Sequence, residues 1–353
     1  MSSKEYTDFT GEFTAALYGH SSPVIQKTIT TVLTTIGLNL SGTTRAEQRF
    51  TKKRKAVVFG GAYYGGVLGF AGGKPAANNV DLDDWIVAKY NDLDGATKAI
   101  QDEGVAAVLL EAMQGAGGCI VATEEFLKAV EDAARKAGVV FIMDEVMTSR
   151  LCAHGLASIR SVAPDLKTFG KWLGGGITFG AFGGRGDMMA AYDPSQPDSL
   201  PHSGTFNNNT LVMHAGYAGL TEIYTPSVAN EFTALGTEFL GRLNEASRDS
   251  ILCFTGLGTV MTAHFPVNGE KDIRDGDVEE RSELKELFWL EMLEKGFWVA
   301  RRGFIALILG TPRRELDRFV DAVEVFIRRY EAFFEDDGGI ILSFDNTPCV
   351  DWM

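Results

Sequence analysis

Short apolar runs alternate with amphipathic stretches along most of this 353-residue chain. Residues 6–20 alternate enough to predict a short strand and a turn. Ser21-Ser22-Pro23 then reads as a helix start, with serine as N-cap and proline in the first turn, and the helix over 24–35 stops at Gly37. Residues 55–59 predict a strand. A helix over 93–102 leads to a strand over 106–110 that runs into Glu111. The 124–137 stretch spaces its apolar residues as an amphipathic helix does and is closed by Gly138. Four apolar residues, Val139 to Ile142, then pass through Met143 into the acidic pair Asp144-Glu145. Strand, helix and strand within about 40 residues form the crossover unit of a parallel sheet. Another short strand is expected over 164–169 and a glycine-rich return strand over 180–185. Helical periodicity dominates 211–243. Residues 255–264 predict a strand, 279–295 a helix, 297–300 a strand and 316–334 an amphipathic helix. The fold class expected is α/β: a mostly parallel central sheet with flanking helices, plus a smaller α+β C-terminal domain.

Composition narrows the partners. At 45% hydrophobic and 23% charged residues the chain is ordinary for a globular protein. A net charge of −14 disfavours nucleic acid and anionic membrane surfaces. No run of 18 or more apolar residues is present to span a membrane, and the N-terminus carries no apolar signal segment, so a cytoplasmic location is expected. Cys119, Cys152, Cys253 and Cys349 lie far apart without Cys-x-x-Cys spacing, which reads as free thiols in a reducing compartment. The five histidines are scattered, so no metal is expected.

The candidate chemistry sits where a strand delivers Asp144 and where Lys171 follows, held between Gly170 and Gly174-Gly175-Gly176 and flanked by Phe169 and Trp172. A buried parallel strand ending in carboxylates places acid groups at the sheet's C-terminal edge. A lysine in a glycine-rich, aromatic-flanked loop is a candidate for desolvation and a lowered pKa, as an amine nucleophile needs. The competing reading is a solvated acidic pair and a surface lysine.

Three blocks decide between these readings. They are Phe141-Ile142-Met143-Asp144-Glu145-Val146-Met147-Thr148, Phe169-Gly170-Lys171-Trp172-Leu173-Gly174-Gly175-Gly176 and His202-Ser203-Gly204-Thr205-Phe206-Asn207-Asn208-Asn209. In order and separation they resemble the class III aminotransferases, pyridoxal-phosphate enzymes of fold type I, and within them most of all the glutamate-1-semialdehyde aminomutases. The resemblance implies pyridoxal 5'-phosphate as cofactor, with Lys171 carrying it as a Schiff base and moving the substrate's α-proton. It implies Asp144 against the pyridine nitrogen, Val146 and Tyr63 on the two ring faces, and Glu111 helping to position the Asp144 loop. Thr205 would reach the phosphate of a neighbouring subunit, so a homodimer is implied. Gly61-Ala62-Tyr63-Tyr64-Gly65-Gly66 resembles the family's ring-stacking loop, with Tyr64 where a histidine is usual. Arg301 or Arg302 could take a substrate carboxylate; two adjacent arginines could equally be surface charges. The reaction implied is amino-group transfer between a small-molecule amino donor and a carbonyl acceptor, with aminomutation or racemisation on the same lysine as alternatives.

Two departures from the pattern are expected to matter. By this resemblance the family's N-terminal arm is expected to be absent. Asn39-Leu40 with Arg45, Glu47 and Phe50 match a stretch at the substrate entrance, whereas 51–59 match sequence well beyond the phosphate-binding turn. An internal loss of that turn and of the following helix, between Phe50 and Thr51, is expected; alternatively Ser41-Gly42-Thr43 serves as the turn. A catalytically impaired chain is the reading that such a loss supports. The expected division is an N-terminal segment (1–50), a large cofactor-binding domain (51–215), a linking helix with a C-terminal small domain (216–335) and an unassigned tail (336–353).

Overall fold

The computed structural model describes residues 5–35, 53–66, 68–79, 82–202, 207–276 and 278–334. Its strands are β1 (Thr7–Asp8), β2 (Lys55–Phe59), β3 (Trp85–Ala88), β4 (Val105–Glu111), β5 (Met113–Gln114), β6 (Ile120–Val121), β7 (Val140–Asp144), β8 (Leu166–Gly170), β9 (Gly180–Gly184), β10 (Cys253–Leu257), β11 (Val260–His264), β12 (Phe297–Trp298) and β13 (Phe304–Ala306). The helices that frame them are α1 (Pro23–Thr35), α2 (Leu93–Ile100), α3 (Glu124–Ala137), α4 (Thr210–Ala218), α5 (Pro226–Ala246), α6 (Ser282–Glu294) and α7 (Arg313–Phe334).

The main sheet runs β3-β2-β4-β7-β8-β9 and is parallel except for the antiparallel β8–β9 pair. β4 and β7 are almost wholly buried, which is why they read as continuous apolar runs rather than alternating ones. α3 forms as its sequence requires. The Thr123 side chain accepts from the Phe126 amide at 3.1 Å, glutamates fill the first turn, Arg135 and Lys136 the last, and Gly138 ends the helix at φ 64°. Its apolar face (Phe126, Leu127, Val130) packs with Val108, Leu110 and Phe141 from the sheet.

A second core gathers Phe232, Phe239, Phe254, Phe288, Phe319 and Phe326 around the small antiparallel sheet β10-β11-β13. The N-terminal segment joins this core instead of forming a separate body. β1 pairs in parallel with β12, and Phe9 stacks on Phe319 at 4.7 Å.

Two local expectations change, and one strand, β13, is not expected from the sequence. The 255–264 strand is a hairpin, β10–β11, because Gly256 (φ 138°) and Gly258 (φ 52°) turn the chain back. The long helix over 211–243 is two helices, α4 and α5. Thr225 caps the second and Pro226, which has no N–H to donate, opens it. β13 is only three residues long, too short for an alternation signal. The proposed junction at Phe50 and Thr51, Ser41 to Thr43, Thr205 and the 336–353 tail lie outside the described residues.

Candidate active site

Three ionisable groups meet at the C-terminal edge of the main sheet. β4 ends in Glu111 and β7 in Asp144, and the strand register sets these two residues side by side. β8, the next strand, ends at Gly170, and Lys171 follows directly. Burial pushes Glu111 up to about 8, with the neighbouring Asp144 charge adding to the effect, and burial likewise raises Asp144 to about 6. Burial draws Lys171 down to about 8, while the Glu111 and Asp144 carboxylates pull the other way. Glu111 is buried and Asp144 and Lys171 are half-buried, so each feels the others' charge with little water between, the condition under which an amine becomes a nucleophile near neutrality.

The loop that carries Lys171 is rooted in the core. Trp172 is buried, its indole N–H donates to Ser149 Oγ at 3.0 Å, and its ring meets Tyr224 edge-on at 5.1 Å. Lys171 itself sits at φ 53°, and Gly175 at φ 66° would drive a Cβ to 2.7 Å from Ala215. Its Nζ donates to the Phe13 carbonyl at 2.8 Å, so the N-terminal segment closes one side of the site.

The acidic pair divides its labour. Glu145 is fully buried and accepts from Thr148 Oγ1, Leu156 N and Ala157 N at 2.8–2.9 Å; it anchors the loop after β7. Asp144 accepts from the Val146 amide at 2.8 Å. The Val146 side chain lies beside Gly170, where an added Cβ would stand 3.4 Å from Val146 Cγ1. Glu111 does not hold the Asp144 loop as expected. Its two oxygens accept from Tyr63 N at 3.1 Å and Gly115 N at 3.0 Å, so it fixes the loop that presents Tyr63, whose ring is 52% exposed. Tyr64 points away, donating to Leu109 O at 2.9 Å.

The two arginines separate. Arg301 bonds Glu286 on α6 and packs over Trp289 at 5.8 Å, which removes it from the site. Arg302 lines a cavity of about 540 Å³ together with Tyr63 and the Gly115–Gly118 turn. The far wall of this cavity holds a cluster that no sequence signal singled out. His264 Nδ1 lies 2.8 Å from Glu280, and Glu280 also bonds Lys285. Among the described residues no group of three acidic, histidine or cysteine side chains is placed to hold a metal.

The donor set fits a pyridoxal ring: an amine drawn below its ordinary pKa, a carboxylate at the end of the neighbouring strand, a half-exposed tyrosine and a valine. We expect capture of pyridoxal phosphate by Lys171, read as borohydride-stable adduct, to rise with the free-amine fraction and reach its midpoint near pH 8. Glu111→Gln should move that midpoint lower, because the lost anion favoured the ammonium. A midpoint near the ordinary lysine value of 10.5 would contradict the buried setting.

Comparison with known proteins agrees with this geometry. The model of the family "Aminotransferase class-III" matches residues 38–312. An uncharacterized aminotransferase of Schizosaccharomyces pombe is 41% identical, with 92% of this chain and 82% of that protein aligned. The beta-phenylalanine transaminase of Variovorax paradoxus is 39% identical over 91% of this chain and 82% of its own length. The solved structure of the beta-phenylalanine aminotransferase from Variovorax paradoxus superposes with a TM-score of 0.87 at 37% identity, covering 93% of this chain and 84% of that one. The glutamate-1-semialdehyde 2,1-aminomutase of Flavobacterium johnsoniae is less similar, at 32% identity over 79% of this chain and 69% of that protein. The aminomutase likeness expected from the sequence is therefore real but weaker than the aminotransferase one. The chain is a member of the class III aminotransferases, enzymes of fold type I.

Proposed function

We propose that the chain is a pyridoxal-phosphate-dependent transaminase whose amino donor is an amino acid held by its carboxylate. The observation that carries this reading is the meeting of Lys171, Asp144 and Glu111 at one sheet edge, each displaced from its ordinary pKa by burial. Pyridoxal phosphate, when bound, supplies the electron sink. The residues supply the rest. Lys171 takes the cofactor's aldehyde and, as a free amine, moves the proton at the carbon bearing the substrate nitrogen. Asp144 keeps the pyridine nitrogen protonated, since an anion beside a ring cation favours the charged form. Tyr63 and Val146 flank the ring. Arg302, open to the cavity, grips the donor carboxylate with its paired N–H groups. The transaminase of Variovorax paradoxus acts on beta-phenylalanine, which supports an aryl-substituted amino acid as the donor. Aminomutation or racemisation on the same lysine is the second reading, set behind transamination by the weaker aminomutase likeness.

The proposal includes a homodimer, with Thr205 reaching the partner's cofactor phosphate. Met213, Tyr217 and Leu220 support it: at i, i+4 and i+7 they form an exposed apolar stripe along and just past α4. A cytoplasmic setting fits the free thiols of Cys119, Cys152 and Cys253. No described helix is long and apolar enough to cross a membrane.

We further infer that the phosphate-binding turn is missing from the sequence between Phe50 and Thr51. The alignment with the Schizosaccharomyces pombe relative runs over 360 positions yet takes in 92% of this 353-residue chain, so about 35 of its positions are gaps on this chain's side.

Amine transfer tests the function. With pyridoxal phosphate and a keto acid acceptor, amino nitrogen should pass from 3-amino-3-phenylpropionate to the acceptor, and Arg302→Ala should raise the KM for that donor by about 30-fold or more. A cofactor-loaded protein that aminates no acceptor, or that only shifts the amino group within glutamate-1-semialdehyde, would refute it.

A further inference from the structure

We propose that Phe13 is the positioning residue that sets where Arg302 holds a substrate carboxylate relative to the Lys171 amine, and so selects donors by the spacing between amino group and carboxylate. This rests on the reading of Arg302 as the carboxylate site. The Arg302 guanidinium lies 5.0 Å from the Phe13 ring centre and 5.4 Å from that of Phe304, and the two rings stand 5.5 Å apart, tilted by 43°. Among the described residues no carboxylate forms an ion pair with Arg302, whereas its neighbour Arg301 is taken up by Glu286. Aromatic faces attract a guanidinium through its plane and leave its N–H edges free, as bidentate binding of a carboxylate requires.

The two rings against which the guanidinium rests differ. Phe304 is fully buried in β13 and cannot move without disturbing the core, whereas Phe13 is 44% exposed. Phe13 sits in a turn in which Gly11, Glu12, Phe13 and Thr14 all have positive φ (50°, 46°, 51° and 80°). L-residues adopt that region in series only where the surroundings over-determine it. Here Asp8 Oδ1 accepts from Thr10 N at 2.7 Å and Gly11 N at 3.1 Å, and a Cβ on Gly11 would stand 2.6 Å from Ala306 O. The turn aims the Phe13 carbonyl at Lys171 Nζ, 2.8 Å away, while the same residue's ring lies against Arg302. One residue thus touches both the reacting amine and the carboxylate-binding cation. Its main chain is fixed by the turn, so its side chain is the adjustable part of the spacing.

Phe13→Leu, which keeps apolar bulk but removes the aromatic face, and Phe13→Tyr, which retains it, test the proposal. Two readouts are needed: KM and kcat for 3-amino-3-phenylpropionate against 1-phenylethylamine, which lacks the carboxylate, and calorimetric binding of 3-phenylpropionate, which has a carboxylate but no amine to react. Phe13→Leu is expected to raise the KM of the carboxylate donor and weaken 3-phenylpropionate binding by about 2- to 30-fold, with a much smaller change for the carboxylate-free amine. Phe13→Tyr should restore both. Equal losses for the two donors, or none, would overturn the proposal. If Arg302→Ala weakens 3-phenylpropionate and Phe13→Leu does not, the positioning role alone falls. If Arg302→Ala has no effect either, the carboxylate site itself is misplaced.

Discussion

Lys171→Ala is expected to lower transamination by about 10,000-fold or more, because one side chain both takes the cofactor's aldehyde and moves the substrate proton. No neighbour can replace it among the described residues whose contacts are known at this edge. Lys167 precedes it by four residues and faces Glu145 at 3.8 Å, and Lys285 is bonded to Glu280 across the cavity. The variant should keep the fold, since Trp172, not Lys171, roots the loop in the core. A small exogenous amine such as methylamine should restore part of the rate, as it can stand in for the missing base. Unchanged donor turnover in Lys171→Ala would show that the lysine is misassigned.

The second large effect concerns the cofactor's phosphate. With the turn gone and only Thr205 across the dimer left to meet the phosphate, pyridoxal phosphate is expected to bind this chain within about 100-fold of pyridoxal. A charge-assisted hydrogen bond contributes about 1.5–3 kcal/mol, so two such bonds from an intact turn would favour the phosphorylated form by about 100- to 20,000-fold. The gap of about 35 alignment positions supports the loss of that turn. Ring-directed contacts from Lys171, Asp144 and Tyr63 do not depend on it, so capture of the aldehyde should persist while retention of the cofactor on dialysis is poor. A preference of about 1,000-fold or more for pyridoxal phosphate, measured by equilibrium titration, would show that other groups hold the phosphate and that the deletion is harmless.

The parallel sheet and its acidic edge were legible in the sequence for a physical reason. A strand buried on both faces must be apolar throughout, so Val139 to Met143 stand out, and the change to Asp144 marks where the strand leaves the core. Glycines around Lys171 marked a tight loop for the same kind of reason: Gly175 packs against Ala215 where no side chain fits. Other features leave no such trace. Arg301 and Arg302 share a tight turn before β13, and nothing in two identical neighbours says which of them faces the cavity. Glu145 and Asp144 look alike until burial separates an anchor from a site residue. The contact of Phe13 with Lys171 is made by a main-chain carbonyl, which every residue carries, so no residue type could signal it. The His264, Glu280 and Lys285 cluster assembles across two elements, the hairpin and the start of α6, and has no spacing to find.

The most direct test of the site is to incubate the purified protein with pyridoxal phosphate, reduce it with borohydride and map the modified peptide. The predicted result is reduced cofactor on Lys171 as the dominant product, lost in Lys171→Ala. Label spread over surface lysines such as Lys98 and Lys136, with none at Lys171, would contradict the assignment of this edge as the site of chemistry.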